Sequence, residues 1–102
     1  MIMLYNNMNL TDIADTLAPE IAKHTSATFH KSSDNFYIFI NTEIVGFWAS
    51  FCDGYVLLFP YKVINSQMTM YPTATKFEYV NPNFAEDAAK HIDNNHDMGL
   101  FE

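Results

Sequence analysis

The histidines, the single cysteine and the serines are the first places to look for reactive chemistry in this chain. Asp87 and His91 stand four apart, the spacing that stacks two side chains on one helical face, so an ion pair or half of a metal site fits there. His91 and His96 are five apart and do not share a face, and nothing nearby adds the convergent ligands that a closed zinc site needs. His24 and His30 flank a helix-to-strand connection, where solvated polar residues belong. All four therefore read as ordinary surface histidines. Cys52 lies between Phe51 and Asp53, which lack the positive charge that activates a thiol, so it reads as a small strand residue. Ser50 has no glycine elbow, and neither a phosphate-cradling loop nor a dinucleotide fingerprint occurs among only 3 glycines. A triad assembled in space would leave no such trace. The expectation is a protein without catalysis, cofactor or metal.

Charge is more informative. Twelve acidic residues oppose 5 lysines, arginine is absent, and the formal net charge is -7. Without guanidinium groups the chain lacks the usual bidentate clamp for phosphate and carboxylate. Direct nucleic-acid binding needs a basic footprint, and an anionic membrane surface would repel this chain for the same reason. An electrostatically steered partner should be a protein with a basic surface. The carboxylates concentrate at the two ends. Glu86, Asp87, Asp93, Asp97 and Glu102 face a single Lys90, and Asp12, Asp15 and Glu20 extend the same potential if the end segments pack side by side. Carboxylates spaced along a helical face can imitate a phosphate backbone. They are also what the solvated side of any amphipathic helix looks like.

These groups must be positioned by one domain, since 102 residues with 49% hydrophobic and 16% aromatic content can build a single core. The domain is expected to span 1–102, with 1–8 a loose lead-in. No apolar run approaches the roughly 18 residues of a membrane span, and Met1-Ile2-Met3-Leu4 lacks the basic flank of a signal peptide. A cytoplasmic protein is the default. Asn9 or Thr11 can cap a helix whose apolar stripe is Leu10, Ile13, Ala14, Leu17 and Ile21, and Pro19 should break, kink or restart it. The period then changes to two. Strands are expected at Thr28–His30, Phe36–Ile40, Glu43–Cys52, Tyr55–Tyr61, Gln67–Tyr71 and Thr75–Val80. Asn83 with Glu86 resembles a capping box before a second helix with stripe Phe84, Ala85, Ala88, Ala89 and Ile92, ended by Asn94-Asn95 and Gly99. The fold class is α+β, a single antiparallel sheet of four to six strands with an N-terminal and a C-terminal helix, in α-β-β-β-β-β-α order.

Two hairpin turns set the facing of the central strands. Asp53-Gly54 is a strong signal for a two-residue turn with both positions at positive φ, and Asn41-Thr42 is a weaker one. If both hold, one face collects Phe36, Ile38, Ile40, Val45, Phe47, Ala49, Phe51, Val56 and Leu58, which is plainly core. The other collects Tyr37, Phe39, Ile44, Gly46, Trp48, Ser50, Cys52, Tyr55, Leu57 and Phe59. That second face either lies under a helix or is a contact surface, with Tyr37, Trp48, Tyr55 and Phe59 as its anchors.

Three classes of function remain. The first is a small acidic inhibitor, such as a virus-encoded blocker of a host nucleic-acid enzyme or defence system, acting through Asp12, Asp15, Glu86, Asp87, Asp93 and Asp97. The second is a chaperone-like or immunity module holding a client through the aromatic sheet face, with a homodimer as a further use of that face. The third is a small-ligand binder or enzyme with its site over the same face. The first is the preferred expectation.

Overall fold

A computed structural model of the chain describes residues 8–95. Asp97, His96 and Gly99 lie outside this range, as does most of the expected lead-in, and Met8 packs against the core. The first helix, α1, runs Leu10–Ala22. Asn9 caps it, its side-chain oxygen accepting from the Asp12 backbone N–H at 2.8 Å, and Asp12 lies in the first turn near the positive end of the dipole. Ile13, Ala14, Leu17, Ala18 and Ile21 form the buried stripe, while Leu10 is 40% exposed and lies outside it.

Pro19 neither breaks nor restarts α1. The helix continues through it, and the Lys23 N–H reaches the Pro19 carbonyl at 3.1 Å. Tertiary burial of Leu17, Ala18 and Ile21 around it outweighs the lost donor. Pro19→Ala should therefore raise unfolding stability by up to about 2 kcal/mol, the helix-interior penalty of proline less its restriction of the unfolded chain. Urea titration of the two forms checks this, and an unchanged midpoint would refute it.

Six strands follow: β1 Thr28–Ser33, β2 Phe36–Ile40, β3 Val45–Phe51, β4 Tyr55–Ile64, β5 Gln67–Met70 and β6 Thr75–Glu78. They form one antiparallel sheet in the order β1-β2-β3-β4-β5, with β6 beside β5 on the same edge of β4. The last helix, α2, spans Phe84–Asn95. The α+β class and element order follow the expectation, with six strands where four to six were foreseen. The Asn83 carbonyl accepts the first helical bond of α2, from the Asp87 N–H at 2.9 Å, while the side-chain bonds at this end come from Asn81. The Asn81 side chain accepts from the Asn83 N–H at 3.0 Å and donates to Asp87 at 3.1 Å.

Both helices pack on the same face of the sheet and against each other. Between them and the sheet lies the core, where Phe39, Phe47, Phe51, Val56 and Leu58 meet Ile13, Ile21, Ala88, Ala89 and Ile92, all at or near 0% exposure. Among the described residues, no helix lies over the opposite face of the sheet.

The turns correct the facing of β2. Ile40 pairs with Gly46, not with Glu43, so the β2–β3 connection is longer than Asn41-Thr42 alone. The N–H groups of Asn41 and Thr42 both bond the Val45 carbonyl, and the Thr42 hydroxyl accepts from the N–H groups of Ile44 and Val45, at 3.2 Å each. An odd change in register turns every β2 side chain over. Tyr37 and Phe39 are therefore core, and Phe36, Ile38 and Ile40 lie on the helix-free face, the reverse of the expected arrangement. The β3–β4 facing is as expected. In that hairpin only Gly54 takes positive φ, at 92°, while the pair of positive-φ residues belongs to Asn65 and Ser66 in the β4–β5 turn.

Candidate functional site

Two surfaces of opposite character result, one on each side of the sheet. On the helix side the carboxylates gather. The two helices carry six acidic residues against one lysine, whereas the six strands carry three lysines against one glutamate. Because α1 and α2 lie side by side, Asp12, Asp15, Glu20, Glu86, Asp87 and Asp93 belong to a single layer.

Their surroundings differ. Asp12 and Glu86 are exposed to solvent. Glu20 pairs with Lys23 at 3.0 Å on the surface. Asp15 accepts from the Tyr37 hydroxyl at 2.8 Å and pairs with Lys31 at 2.9 Å. Its carboxyl is held below the usual aspartate range, first by the Lys31 hydrogen bond and then by Tyr37. Tyr37, expected on the contact face, is instead 7% exposed beneath α1, and burial together with the Asp15 carboxylate pushes its hydroxyl up to about 12. Asp93 accepts from the Thr25 hydroxyl and, at 3.4 Å, from the Ser26 N–H, tying the α1–β1 connection to α2. Asp87 receives Asn81. Asp15, Asp87 and Asp93 thus have architectural duties in addition to their charge, and the sequence offered no sign of the long-range partners of Asp15 and Asp93.

The four histidines divide. His24 and His30 are exposed, as expected. His91 is not an ordinary surface residue, because its ring packs on Phe47 at 5.3 Å and Phe77 at 5.5 Å, with ring planes tilted. Burial lowers its pKa from 6.5 by disfavouring the imidazolium. The unfolded chain therefore binds this proton at a higher pH than the native one does. Stability should fall as pH drops below about 6.5 and level off once His91 is protonated in the folded protein too. Urea midpoints between pH 8 and 5 should slope in this sense, and His91→Phe should flatten the curve. No group of three or more His, Cys, Asp or Glu among the described residues could hold a metal ion. Cys52 lies 3.7 Å from the Ser50 hydroxyl, half-buried just past the end of β3.

On the helix-free side, cross-strand pairing arranges the side chains in ladders. His30, Ile38, Trp48 and Phe59 form one, Phe36, Ser50, Leu57 and Lys76 the next, and Thr28, Ile40, Gly46, Tyr61 and Met70 a third. Of the four foreseen anchors, Trp48, Tyr55 and Phe59 share this face and Tyr37 does not. Phe36 stacks near Trp48 at 5.5 Å, and Lys76 lies over the Tyr55 ring at 5.2 Å. Phe36, Ile38 and Ile40 join the face through the longer β2–β3 turn, which sequence reasoning took as short. Tyr61 crosses the face above Gly46 and is only 5% exposed although neither α1 nor α2 covers it. Past Lys62, β4 outruns β3, and Val63, Met68 and Met70 continue the apolar surface along the β4–β5 hairpin, with the two methionines 42% and 44% exposed.

No helix among the described residues is long and apolar enough to cross a membrane. No family model, no curated protein and no solved structure matches this chain.

Proposed function

We propose that this chain is a non-catalytic, cytoplasmic binding module whose acidic helix layer docks on the basic surface of a nucleic-acid-handling protein and thereby inhibits it. The observation that carries the reading is the partition of charge. Six helical carboxylates lie on one side of the sheet with Lys90 as the one lysine within the helices, and although Lys23 and Lys31 pair there with Glu20 and Asp15, the layer stays net acidic. A layer of this kind presents clustered negative charge on packed helices, which a groove built for a phosphate backbone attracts. Hydrogen bonds to Thr25, Ser26 and Asn81 fix Asp93 and Asp87 in place without cancelling their charge.

Affinity capture from a cell lysate at low and high salt tests this. A basic nucleic-acid-binding protein should be recovered at low salt and released at high salt. Asp93 is unsuitable for mutation because it pins α2 to the α1–β1 connection, so the probe is Asp12→Asn, Glu20→Gln and Glu86→Gln combined, all exposed. The triple variant should stay folded and bind the recovered partner at least about tenfold more weakly. Unchanged affinity would overturn the reading. A second reading, a client-holding module, is favoured by the apolar sheet face that neither helix covers. It predicts capture that resists salt and depends on Trp48.

A further inference from the structure

The helix-free face of the sheet has its own logic, independent of the acidic layer. We propose that it is a homodimer interface, on which a second copy of this chain packs sheet to sheet about a two-fold axis between Trp48 and Ser50. Three features favour a second copy over an unlike partner. The first is charge. Among the residues of the three ladders the only formally charged side chain is Lys76, and it is accompanied by Glu78 at 4.0 Å on the same edge strand. A strongly acidic or basic partner would find only this one edge pair, which is already close to neutral as a unit. Two such faces can meet without burying an unpaired charge at the centre.

The second is where the net charge of -7 goes. Stacked sheets lie about 10 Å apart, and each helix layer adds roughly another 10 Å, so sheet-to-sheet pairing holds the two acidic layers about 30 Å from one another. That is nearly four Debye lengths at physiological salt, where the Debye length is about 8 Å, and the repulsion is screened. Any pairing that used the helix side would bury carboxylates instead.

The third is size and relief. Four to five strands about 4.8 Å apart, with three to four ladders about 7 Å apart, give a footprint on the order of 500 Å². The relief of the side chains and the hairpin extension at Val63, Met68 and Met70 bring the surface to the lower part of the range for stable dimers, about 600–800 Å² per partner. Along β3 the bulky Trp48 is followed on the same face by the small Ser50, which lies between Phe36 and Leu57. An axis between them sets the indole of each copy over the Ser50 dip of the other, the alternation of large and small that interdigitated layers require.

Sedimentation velocity on the full chain over a wide concentration range tests the proposal. Trp48 is the only tryptophan, so its emission reports directly on the face. The expected result is a dimer at micromolar concentration that dissociates on dilution, with red-shifted Trp48 emission and little sensitivity to salt. Ser50→Lys should give a monomer with unchanged far-ultraviolet circular dichroism, and Leu57→Lys provides the same test at a second position should the first variant not fold. A wild-type chain monomeric at every concentration overturns the proposal, as does a dimer that survives both substitutions. In the monomeric case, Trp48 freely quenched by acrylamide would assign the face to an unlike client, and Trp48 shielded from it would assign the face to another segment of this chain. None of these outcomes changes the salt-sensitive capture expected of the helix layer, so the two readings fail separately.

Discussion

Gly46→Ala should cost about 3 kcal/mol or more, lowering the melting temperature by roughly 15 °C or preventing folding. A methyl group on residue 46 would run into the Phe39 carbonyl on the neighbouring strand and would come within 2.5 Å of the Tyr61 hydroxyl oxygen and 2.7 Å of its ring carbon Cζ. The ring is the end of a side chain and can swing away. The carbonyl belongs to the β2–β3 ladder and cannot move without breaking it, since Phe39 is paired with Phe47 at the centre of the sheet. Gly46 is therefore required by close approach, not by an unusual backbone angle. Combining Gly46→Ala with Tyr61→Leu should recover only part of the loss, because the carbonyl clash remains. Urea denaturation of the three variants reads this out. A Gly46→Ala protein within about 1 kcal/mol of wild type would show that the strands yield more readily than their pairing implies.

Strand β2 gives the second large effect. Phe39→Ala should destabilise by about 3–5 kcal/mol, since Phe39 is 0% exposed and its removal leaves a cavity under α1. Ile38→Ala, one residue away on the half-covered opposite face, should cost no more than about 1–2 kcal/mol in the monomer. A domain of this size is stable by about 5–15 kcal/mol in all, so the first variant stands near the edge of folding and the second does not. Equal losses at the two positions, or the reverse order, would contradict the register of β2. If the sheet face pairs with a second copy, the Ile38→Ala loss should also grow with protein concentration, while that of Phe39→Ala should not.

This pair of residues also marks the limit of what the sequence discloses. Periodicity located every element, because the switch from helical to alternating spacing at Ala27 and the Asp53-Gly54 turn are strong local signals. Facing is a different quantity. It depends on the length of each turn modulo two, and the Asn41–Ile44 segment owes its length to bonds from Asn41 and Thr42 to Val45 that no local pattern announces. The same segment is held from above, where the Asn41 side chain donates to the Ile92 carbonyl of α2 at 3.0 Å. In the candidate sites, the acidity of the helix layer was legible because it depends on composition and helical spacing alone. The placement of Tyr37 under α1 and the Thr25–Asp93 tie were not, because each joins residues distant in sequence. Pro19 misled in the opposite way, since a rule of local propensity gave way to burial of the residues around it.

The position of the two helices, at opposite ends of the order of elements yet side by side on one face, has a consequence during synthesis. The strands form from successive hairpins and can pair as they leave the ribosome, with α1 already available to cover part of the inner surface. Ala88, Ala89 and Ile92 arrive last. Until they do, Phe47 and its neighbours lack part of their cover, and a nascent chain stopped before Phe84 presents greasy surface on both sides of its sheet at once. Transiently exposed apolar surface of that kind makes an intermediate prone to aggregate.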